Sequence, residues 1–249
     1  MKKVRKDEVN PIYKKVNILK NIGNIIFIFV FLFSIIVLLD FKYRNIFVLV
    51  LIIVTIANII ISNINDIYLI YFAEEERRKS LIKESFDINI TLKETKNYYN
   101  NKEKPSLKKL GLNSMESVFF TKRIVDKMMP IEMIKSVVCL LIYVFLLIVV
   151  KDLNVILLVT QTIFSAELII GFLKFCFFKM KVDKLYDELK NLFCVVGVNE
   201  STEILLLCHS INYECVKSYY KVLVSSKIFK KYNDKWTIEW KNMLKKLRG

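Results

Sequence analysis

The sequence predicts an all-α integral membrane protein with two transmembrane helical hairpins, and three observations support that prediction. Four apolar runs occur in two pairs, and only a few polar residues separate the runs within each pair. A helix crosses a bilayer core with about 20 mostly apolar residues, a length that each run reaches with its flanks. The chain of 249 residues holds only 5 Gly and 3 Pro, so breakers are scarce. The runs are 25–39, 46–64, 136–150 and 155–173.

The distribution of positive charge predicts the topology. Lys and Arg outnumber acids in the three soluble parts by seven to two in 1–20, thirteen to nine in 74–130 and fourteen to eight in 179–249. The hairpin loops hold only Lys42, Arg44 and Lys151. Because positive residues stay cytoplasmic, both termini and the central insert are expected inside the cell. No small-x-small cleavage site follows the first run, so we expect a retained anchor rather than a signal peptide.

Five segments follow from this organisation. We expect a basic cytoplasmic arm over 1–20, which serves as a topology signal or lies along the anionic leaflet. The first hairpin covers 21–73, the cytoplasmic insert 74–130, the second hairpin 131–178 and the helical cytoplasmic tail 179–249.

The spacing of apolar residues predicts the helices of the soluble parts. The second span should continue to about Lys83, and a short helix over 114–129, capped by Asn113 or Ser114, should stop at Pro130. Loop signals at Asn100, Asn101, Pro105 and Gly111 precede that helix.

In the tail, residues 179–193 should continue the fourth span. Gly197 should break the helix, and Asn199 or Ser201 should cap the next one. Further helices are expected over 202–224 and 234–247. Trp236, Trp240, Met243 and Leu247 form an apolar stripe on the last helix, which packs on the tail itself, a partner subunit or the bilayer.

Polar residues distinguish the second and fourth spans from the first and third. In the second span they recur at spacings of three, four and three, which places them on one helix face. In the fourth span Gly171 and Lys174 continue a similar stripe towards the cytoplasm. The candidate pore-lining residues are Thr55, Asn58, Ser62 and Asn65 of the second span and Thr160, Gln161 and Glu167 of the fourth. Hydrogen bonding between helices explains an Asn and Ser stripe equally well.

Glu167 is the most unusual of these residues. It lies twelve residues past Val155, as Asn58 lies twelve past Ile46, so each is roughly 18 Å into the core. An acid at that depth costs about 2.5–3.5 kcal/mol to insert. We therefore expect Glu167 to face water or protein, and a ring of such acids around an oligomer axis would favour cations.

Catalytic and metal-binding motifs are lacking in the sequence. It has no P-loop, no nucleophile elbow and no zinc-protease motif, so we expect no enzyme. Cys208, His209 and Cys215 do not match the spacing of a zinc site, and the five cysteines are expected to be free thiols without a metal or resident cofactor. The net charge of +15 follows the membrane topology, so we expect no DNA or RNA partner.

The order of hairpin, charged insert, hairpin and helical tail resembles the SMODS-associated four-transmembrane effector family of bacterial CBASS-type anti-phage defence. An FD pair, here Phe86 and Asp87, opens the insert in that family, and a YY pair follows, here Tyr98 and Tyr99. The likeness covers nearly the whole chain, as architecture more than as motif. It implies a homo-oligomeric effector of the bacterial inner membrane that a cyclic oligonucleotide from a partner nucleotidyltransferase opens or assembles. Permeabilisation of the membrane and abortive infection would follow.

Basic and aromatic residues of the insert suit such a phosphate-rich ligand, with a tyrosine available to stack on a base. Solvated helix faces are the alternative interpretation of each cation. The candidate ligand-binding residues are Arg77, Arg78, Tyr98, Tyr99, Lys108, Lys109, Lys122 and Arg123. Two other functions remain open: a non-conducting membrane anchor that scaffolds a cytoplasmic partner, and a small cation channel or transporter that uses Glu167.

Overall fold

The computed structural model describes residues 6–36, 42–96, 98–149 and 168–248, and these residues form an all-α protein. Six helices follow one another: α1 Asn10–Ile36, α2 Arg44–Phe86, α3 Leu107–Val149, α4 Leu168–Asn191, α5 Glu200–Tyr220 and α6 Ser226–Arg248. A π-helical turn, Asn65–Leu69, lies within α2, and a second one, Leu192–Val196, extends α4. One antiparallel ribbon pairs β1, Lys6–Asp7, with β2, Thr95–Lys96.

Two helices among the described residues are long and apolar enough to cross a membrane by length and composition. They are α2 and α3, each of 43 residues. The fold class is therefore confirmed as all-α with two helices of membrane-spanning character. The four-span arrangement remains a prediction, because most of the fourth apolar run lies outside the described residues.

The chain divides into two compact units. The first, which we call the soluble unit, comprises Met1–Ile12, Tyr71–Met129 and Phe175–Gly249. The second, the apolar unit, comprises Tyr13–Ile70 and Pro130–Lys174. All four chain crossings between the units fall inside helices α1, α2, α3 and α4.

The soluble unit has a conventional apolar core. It is built from α3, α4, α5 and α6, with Met115, Leu189, Leu206 and Trp240 fully buried. The rings of Phe119 and Trp240 are 5.5 Å apart between centroids. The predicted stripe on the last helix thus packs on the soluble unit itself, through Trp236 and Trp240.

The apolar unit has the opposite surface. Ile60, Leu141 and Ile148 are 53%, 63% and 77% exposed, and no residue of Arg44–Ile64 is buried. An apolar surface of this extent marks a contact with a membrane or with another protein. The polar Asn65, in contrast, is only 3% exposed.

The prediction that a helix stops at Pro130 is wrong, as helix α3 shows. Rather than stopping there, it runs from Leu107 to Val149 with Pro130 inside it. Proline within a helix removes one N–H donor and costs about 3 kcal/mol. Two effects outweigh that cost. Residues before Pro130, such as Val125, pack in the core, and the apolar segment after it favours a helix because its backbone groups then bond to one another.

The start of α3 is also earlier than predicted. Ser106 caps it, because its Oγ accepts a hydrogen bond from the Lys109 backbone N–H at 3.2 Å. The predicted caps Asn113 and Ser114 lie inside the helix and are fully buried, and Gly111, expected in a loop, is helical. A side chain at Gly111 would meet Leu206 at 2.8 Å, so close packing explains this glycine.

The remaining helix predictions vary in outcome. The extension of the second span to about Lys83 is confirmed, with α2 ending at Phe86. Asn199 caps α5 through a reciprocal bond with Thr202 after the break at Gly197, whose φ is 79°. However, α5 ends at Tyr220, short of the predicted 224, and is followed by Lys221 in the left-handed region with φ 50°. Helix α6 begins at Ser226, eight residues before its predicted start.

Candidate functional site

The polar stripe of α2 is partly turned into the apolar unit. Asn65 Nδ2 donates to the Val16 carbonyl oxygen of α1 at 3.4 Å, and a Cβ on Gly23 of α1 would lie 3.3 Å from Asn58 Oδ1. Thr55 is half-buried and donates to the Leu51 carbonyl oxygen at 2.8 Å. Ser62 is exposed. Asn58 and Asn65 therefore approach α1 within one chain, whereas Thr55 bonds within α2. The role of the four residues in lining a pore stays a prediction.

Asn58 and Asn65 each leave a polar atom without a partner among the described residues. The Oδ1 atom of each side chain is buried and accepts no hydrogen bond. An unpaired amide oxygen in an apolar region costs free energy unless water or another chain supplies a donor. Thr160, Gln161 and Glu167, which the sequence places on the fourth span, lie outside the described residues.

Arg77 is built into the interior of the soluble unit. Its Nη2 lies 3.2 Å from Asp7 Oδ2, and its guanidinium stacks on the Tyr98 ring at 4.4 Å from the centroid. Asp7 also caps α1, because its Oδ1 accepts the backbone N–H groups of Val9 and Asn10. This arrangement ties the start of α1 to α2 and to the loop that carries Tyr98.

The loop over residues 98–101, which carries the YY pair, is held by polar residues of α3 that sequence reasoning missed. The Asn100 backbone N–H donates to Glu116 Oε2 at 2.9 Å, and Asn101 donates to Asn113 Oδ1. Asn113 in turn donates to Ser85 Oγ at 3.0 Å. Glu116 and Asn113 are 3% and 0% exposed. A signal was present, because these polar residues occupy core-facing positions of a helical pattern.

The other predicted ligand-binding residues are dispersed over several helices. Arg78 donates to Ser218 Oγ at 2.9 Å, Lys122 pairs with Asp183, and Arg123 pairs with Glu239 at 3.0 Å. Lys108 and Lys109 lie half-buried in the first turn of α3. The eight residues therefore do not converge on one described site, although Arg77 and Tyr98 do meet.

A cavity of about 490 Å³ opens beside the loop after α2. None of the predicted ligand-binding residues lines it. Its walls come from Lys83 at the end of α2 and from the loop, with Lys83 Nζ 3.4 Å from the Thr91 carbonyl oxygen. The FD pair lies just before this loop, and Asp87 has a φ of 58° that turns the chain out of the helix. The lining residues are Lys83, Asn89, Ile90, Thr91, Leu92 and Glu94.

Buried ionisable groups occur in the soluble unit. Burial raises the pKa of the Glu84 carboxyl and, well above its usual value, that of the Tyr99 hydroxyl. Burial also raises the pKa of Glu214, and nearby Glu74 adds to this. Lys217 Nζ lies 3.0 Å from Glu74 Oε2 and 2.9 Å from Glu214 Oε2, which offsets part of the penalty. Among the described residues, no group of three or more His, Cys, Asp or Glu side chains could hold a metal.

Comparison with known proteins gives no match: no family model, no curated protein and no solved structure is similar to this chain. Function must therefore be inferred from the chain's own residues.

Proposed function

We propose that this protein is a pore-forming effector of bacterial anti-phage defence, which a cyclic oligonucleotide opens or assembles to permeabilise the inner membrane. The observation that carries the proposal is the division into an apolar unit and a soluble unit whose four crossings are all helical. At every crossing the helical backbone is continuous, so a conformational change in the soluble unit is transmitted along a helix into the apolar unit.

The exposed surface of the apolar unit supports a membrane location. Its helices present Ile, Leu and Phe side chains outward, while Asn65 faces inward. That distribution is favourable only where the solvent is lipid, because lipid cannot satisfy polar groups. We propose that the chain crosses the bilayer four times, with both termini in the cytoplasm.

Intramembrane polar residues support the conducting part of the proposal. Asn58 keeps a buried oxygen without a donor, and Glu167 is an acid in an apolar run. Charged residues within membrane segments commonly face a water-filled path. In a homo-oligomer these residues would line the path, with Glu167 selecting cations.

The ligand part of the proposal depends on the resemblance and on charge. The insert and tail carry a large excess of Lys and Arg, which suits a phosphate-rich ligand made by a partner nucleotidyltransferase. Arg77 and Tyr98 form a cation–aromatic pair of the kind that binds a phosphate and stacks on a base. Within the soluble unit, however, they already contact each other, and Arg77 also pairs with Asp7.

Ion flux from proteoliposomes tests the proposal. Purified chain should release a trapped cation on addition of the matching cyclic oligonucleotide, and Glu167→Leu should reduce that release at equal incorporation. The matched control is Ile163→Leu, one turn away on the same run. Absence of flux and of binding with every cyclic oligonucleotide tested would contradict the proposal.

A non-conducting membrane anchor is the second candidate, because Asn58 and Asn65 turn towards α1 rather than away from it. This arrangement is typical of helix packing. The anchor function predicts no flux under any condition and retention of a cytoplasmic partner by the insert and tail. A cation channel or transporter that uses Glu167 instead predicts flux without a nucleotide.

A further inference from the structure

Helix α5 is apolar on two opposite faces. One face carries Leu206, Tyr213 and Val216 into the core of the soluble unit. The other face is exposed to solvent and lacks a cover among the described residues. Its side chains, which we call the α5 stripe, are Ile204, Leu205, Cys208, Ile211, Cys215 and Tyr219.

The α5 stripe has the spacing of a helix–helix seam. Ile204, Cys208, Ile211 and Cys215 follow at intervals of four, three and four, which is the a/d pattern of a coiled coil. Ile204 and Ile211 are each 54% exposed and Tyr219 is 79% exposed. Single exposed apolar residues are ordinary on proteins, but a regular row along three turns marks a contact surface.

The residues that flank the α5 stripe oppose a bilayer cover. Helices that lie on anionic leaflets carry Lys and Arg beside their apolar face. The N-terminal flank here carries Glu200 and Ser201, and the middle carries Asn212. Lys217 lies on another face, where it is 16% exposed between Glu74 and Glu214. A protein helix suits this surface better than lipid headgroups.

We infer that the α5 stripe is a self-association surface, on which a second copy of this chain packs its own α5 in the antiparallel direction. In that register Ile204 meets the partner's Cys215, and Cys208 meets the partner's Ile211. The two-fold axis then passes midway between Cys208 and Ile211, and Leu205 on the flank lies nearest the partner's Asn212. Asn212 is displaced from the partner's Asn212 by roughly 8 Å along the helices. Both layers of the seam are apolar with apolar, so the surface is complementary to itself.

Charge at the two ends of α5 favours the antiparallel direction. Glu200 begins the helix and Lys221 follows its last turn, and both are exposed. They mark the two opposite ends of α5. An antiparallel copy therefore brings Glu200 beside the partner's Lys221 at both ends. A parallel copy would instead place like charges together.

This inference rests on the proposed function, because it names a contact through which subunits of the pore meet. The α5 stripe alone is smaller than a stable interface between free proteins, for which roughly 1,000 Å² is the threshold. Confinement in one membrane raises the effective concentration, so a small surface suffices there.

Cross-linking of single-cysteine chains in membranes tests the contact. In a chain whose five native cysteines are replaced by Ala, Asn212→Cys should give a dimer with a short bis-maleimide. Ile238→Cys, at an exposed apolar position on α6, should not. Chains with Leu205→Cys or Tyr219→Cys alone should cross-link weakly, whereas the two co-expressed should cross-link to each other. Equal yields at 212 and 238, or none at 212, would overturn the inference.

A charge exchange tests the direction of packing. Glu200→Lys should lower the cross-linked fraction at Asn212→Cys by about two- to fivefold, because it removes an exposed ion pair at each end of the dimer. Adding Lys221→Glu should restore it. Failure of the double variant to recover, with the chain still folded, would exclude the antiparallel register.

The result is separable from the proposed function. Cross-linking without ion flux keeps the α5 contact and contradicts the pore. Flux without cross-linking contradicts the α5 contact and keeps the pore. If liposomes protect Cys208 from a maleimide while no dimer forms, the bilayer covers the α5 stripe and the inference is wrong.

Discussion

The soluble unit and the apolar unit distribute the same residue types in opposite ways. In the soluble unit Trp240 and Met115 are fully buried, and most ion pairs are partly exposed. In the apolar unit Ile148 is 77% exposed and Asn65 is 3% exposed. The difference teaches that the solvent, rather than helix propensity, decides which face of each helix turns inward.

Helix α2 shows this contrast within a single element. Its first 21 residues, Arg44–Ile64, contain no buried residue, whereas Ala73, Ser80 and Leu81 beyond the π-helical turn are 0%, 3% and 5% exposed. A π-helical turn adds a residue to one turn and so rotates the faces that follow it. The turn at Asn65–Leu69 lies at the boundary between the two units.

The largest expected effect is loss of the soluble core. Trp240→Ala should lower the free energy of unfolding of the soluble unit by about 3–5 kcal/mol, because it leaves a large cavity beside Phe119. Thermal unfolding of the full chain in detergent, followed by the remaining Trp236 fluorescence, measures this. Ile148→Ala should leave that transition unchanged. An equal loss in both variants would remove the contrast between the units.

The next effect comes from close packing at Gly111. A Cβ there would approach Leu206 Cδ2 at 2.8 Å, so Gly111→Ala should destabilise the soluble unit by about 1–3 kcal/mol. Combining it with Leu206→Ala should give less than the sum of the two losses, since the second change makes room. Gly171→Ala, with nothing within 4 Å of the added atom, is the control. Strict additivity would show that the two residues are not in contact.

A smaller effect tests the interior of the apolar unit. Asn65→Leu removes the bond to the Val16 carbonyl oxygen and should weaken the α1–α2 contact by about 1 kcal/mol in bicelles. Asn63→Leu changes an exposed side chain that bonds only to its own helix, at the Ile59 carbonyl oxygen, and should have no such effect. If Asn65→Leu is as stable as the parent yet changes ion flux, the polar stripe serves conduction rather than packing.

The smallest expected effect concerns pH. Burial raises the pKa of Glu214 in the folded chain above its unfolded value. Its contribution to stability is therefore present below the unfolded pKa and is lost as pH rises through the folded one. Glu214→Gln should abolish that loss, so the variant should exceed the parent in free energy of unfolding by more at pH 8 than at pH 5. The measurement is the Tm of the variant minus the Tm of the parent at each of the two pH values.

Asp183 supplies the matched comparison, because its pKa shifts the other way. Burial opposes its charge, but hydrogen bonds from Lys122 and Lys179 lower its pKa overall. Asp183→Asn should therefore destabilise the soluble unit at pH 8 and lose that effect as pH falls. The same sign of pH dependence in both variants would contradict the assignment.

The sequence predicted elements whose signal is local and missed those that depend on distant contacts. The continuation of α2 and the Asn199 cap follow from spacing and capping chemistry within a few residues. The passage of α3 through Pro130 could not be predicted, because packing elsewhere in the core compensates for it. The role of Asp7 was also missed, since its partner Arg77 is 70 residues away and the segment around Asp7 looks like a simple topology signal.

The candidate site divides in the same manner. Asn58 was selected from its spacing in the sequence, and its unpaired buried oxygen supports that selection as a candidate site residue. The cations of the insert were chosen by charge, and the structure shows Lys122 and Arg123 engaged by acids from α4 and α6. Charge in a sequence does not reveal whether an acid from another helix already neutralises it.

The soluble unit is assembled from distant parts of the chain, as in the ribbon between Lys6–Asp7 and Thr95–Lys96, and this has a consequence for synthesis of the chain. The soluble unit gathers its first twelve residues, its middle segment and its last 75 residues, with an apolar segment made between each. Its core cannot close until Trp240 has left the ribosome, so both apolar segments emerge before it exists. Synthesis of both apolar segments therefore precedes folding of the soluble unit. A chain truncated before α6 would expose the apolar faces of α3 and α4 that the full chain buries, and exposed faces of this kind bind chaperones.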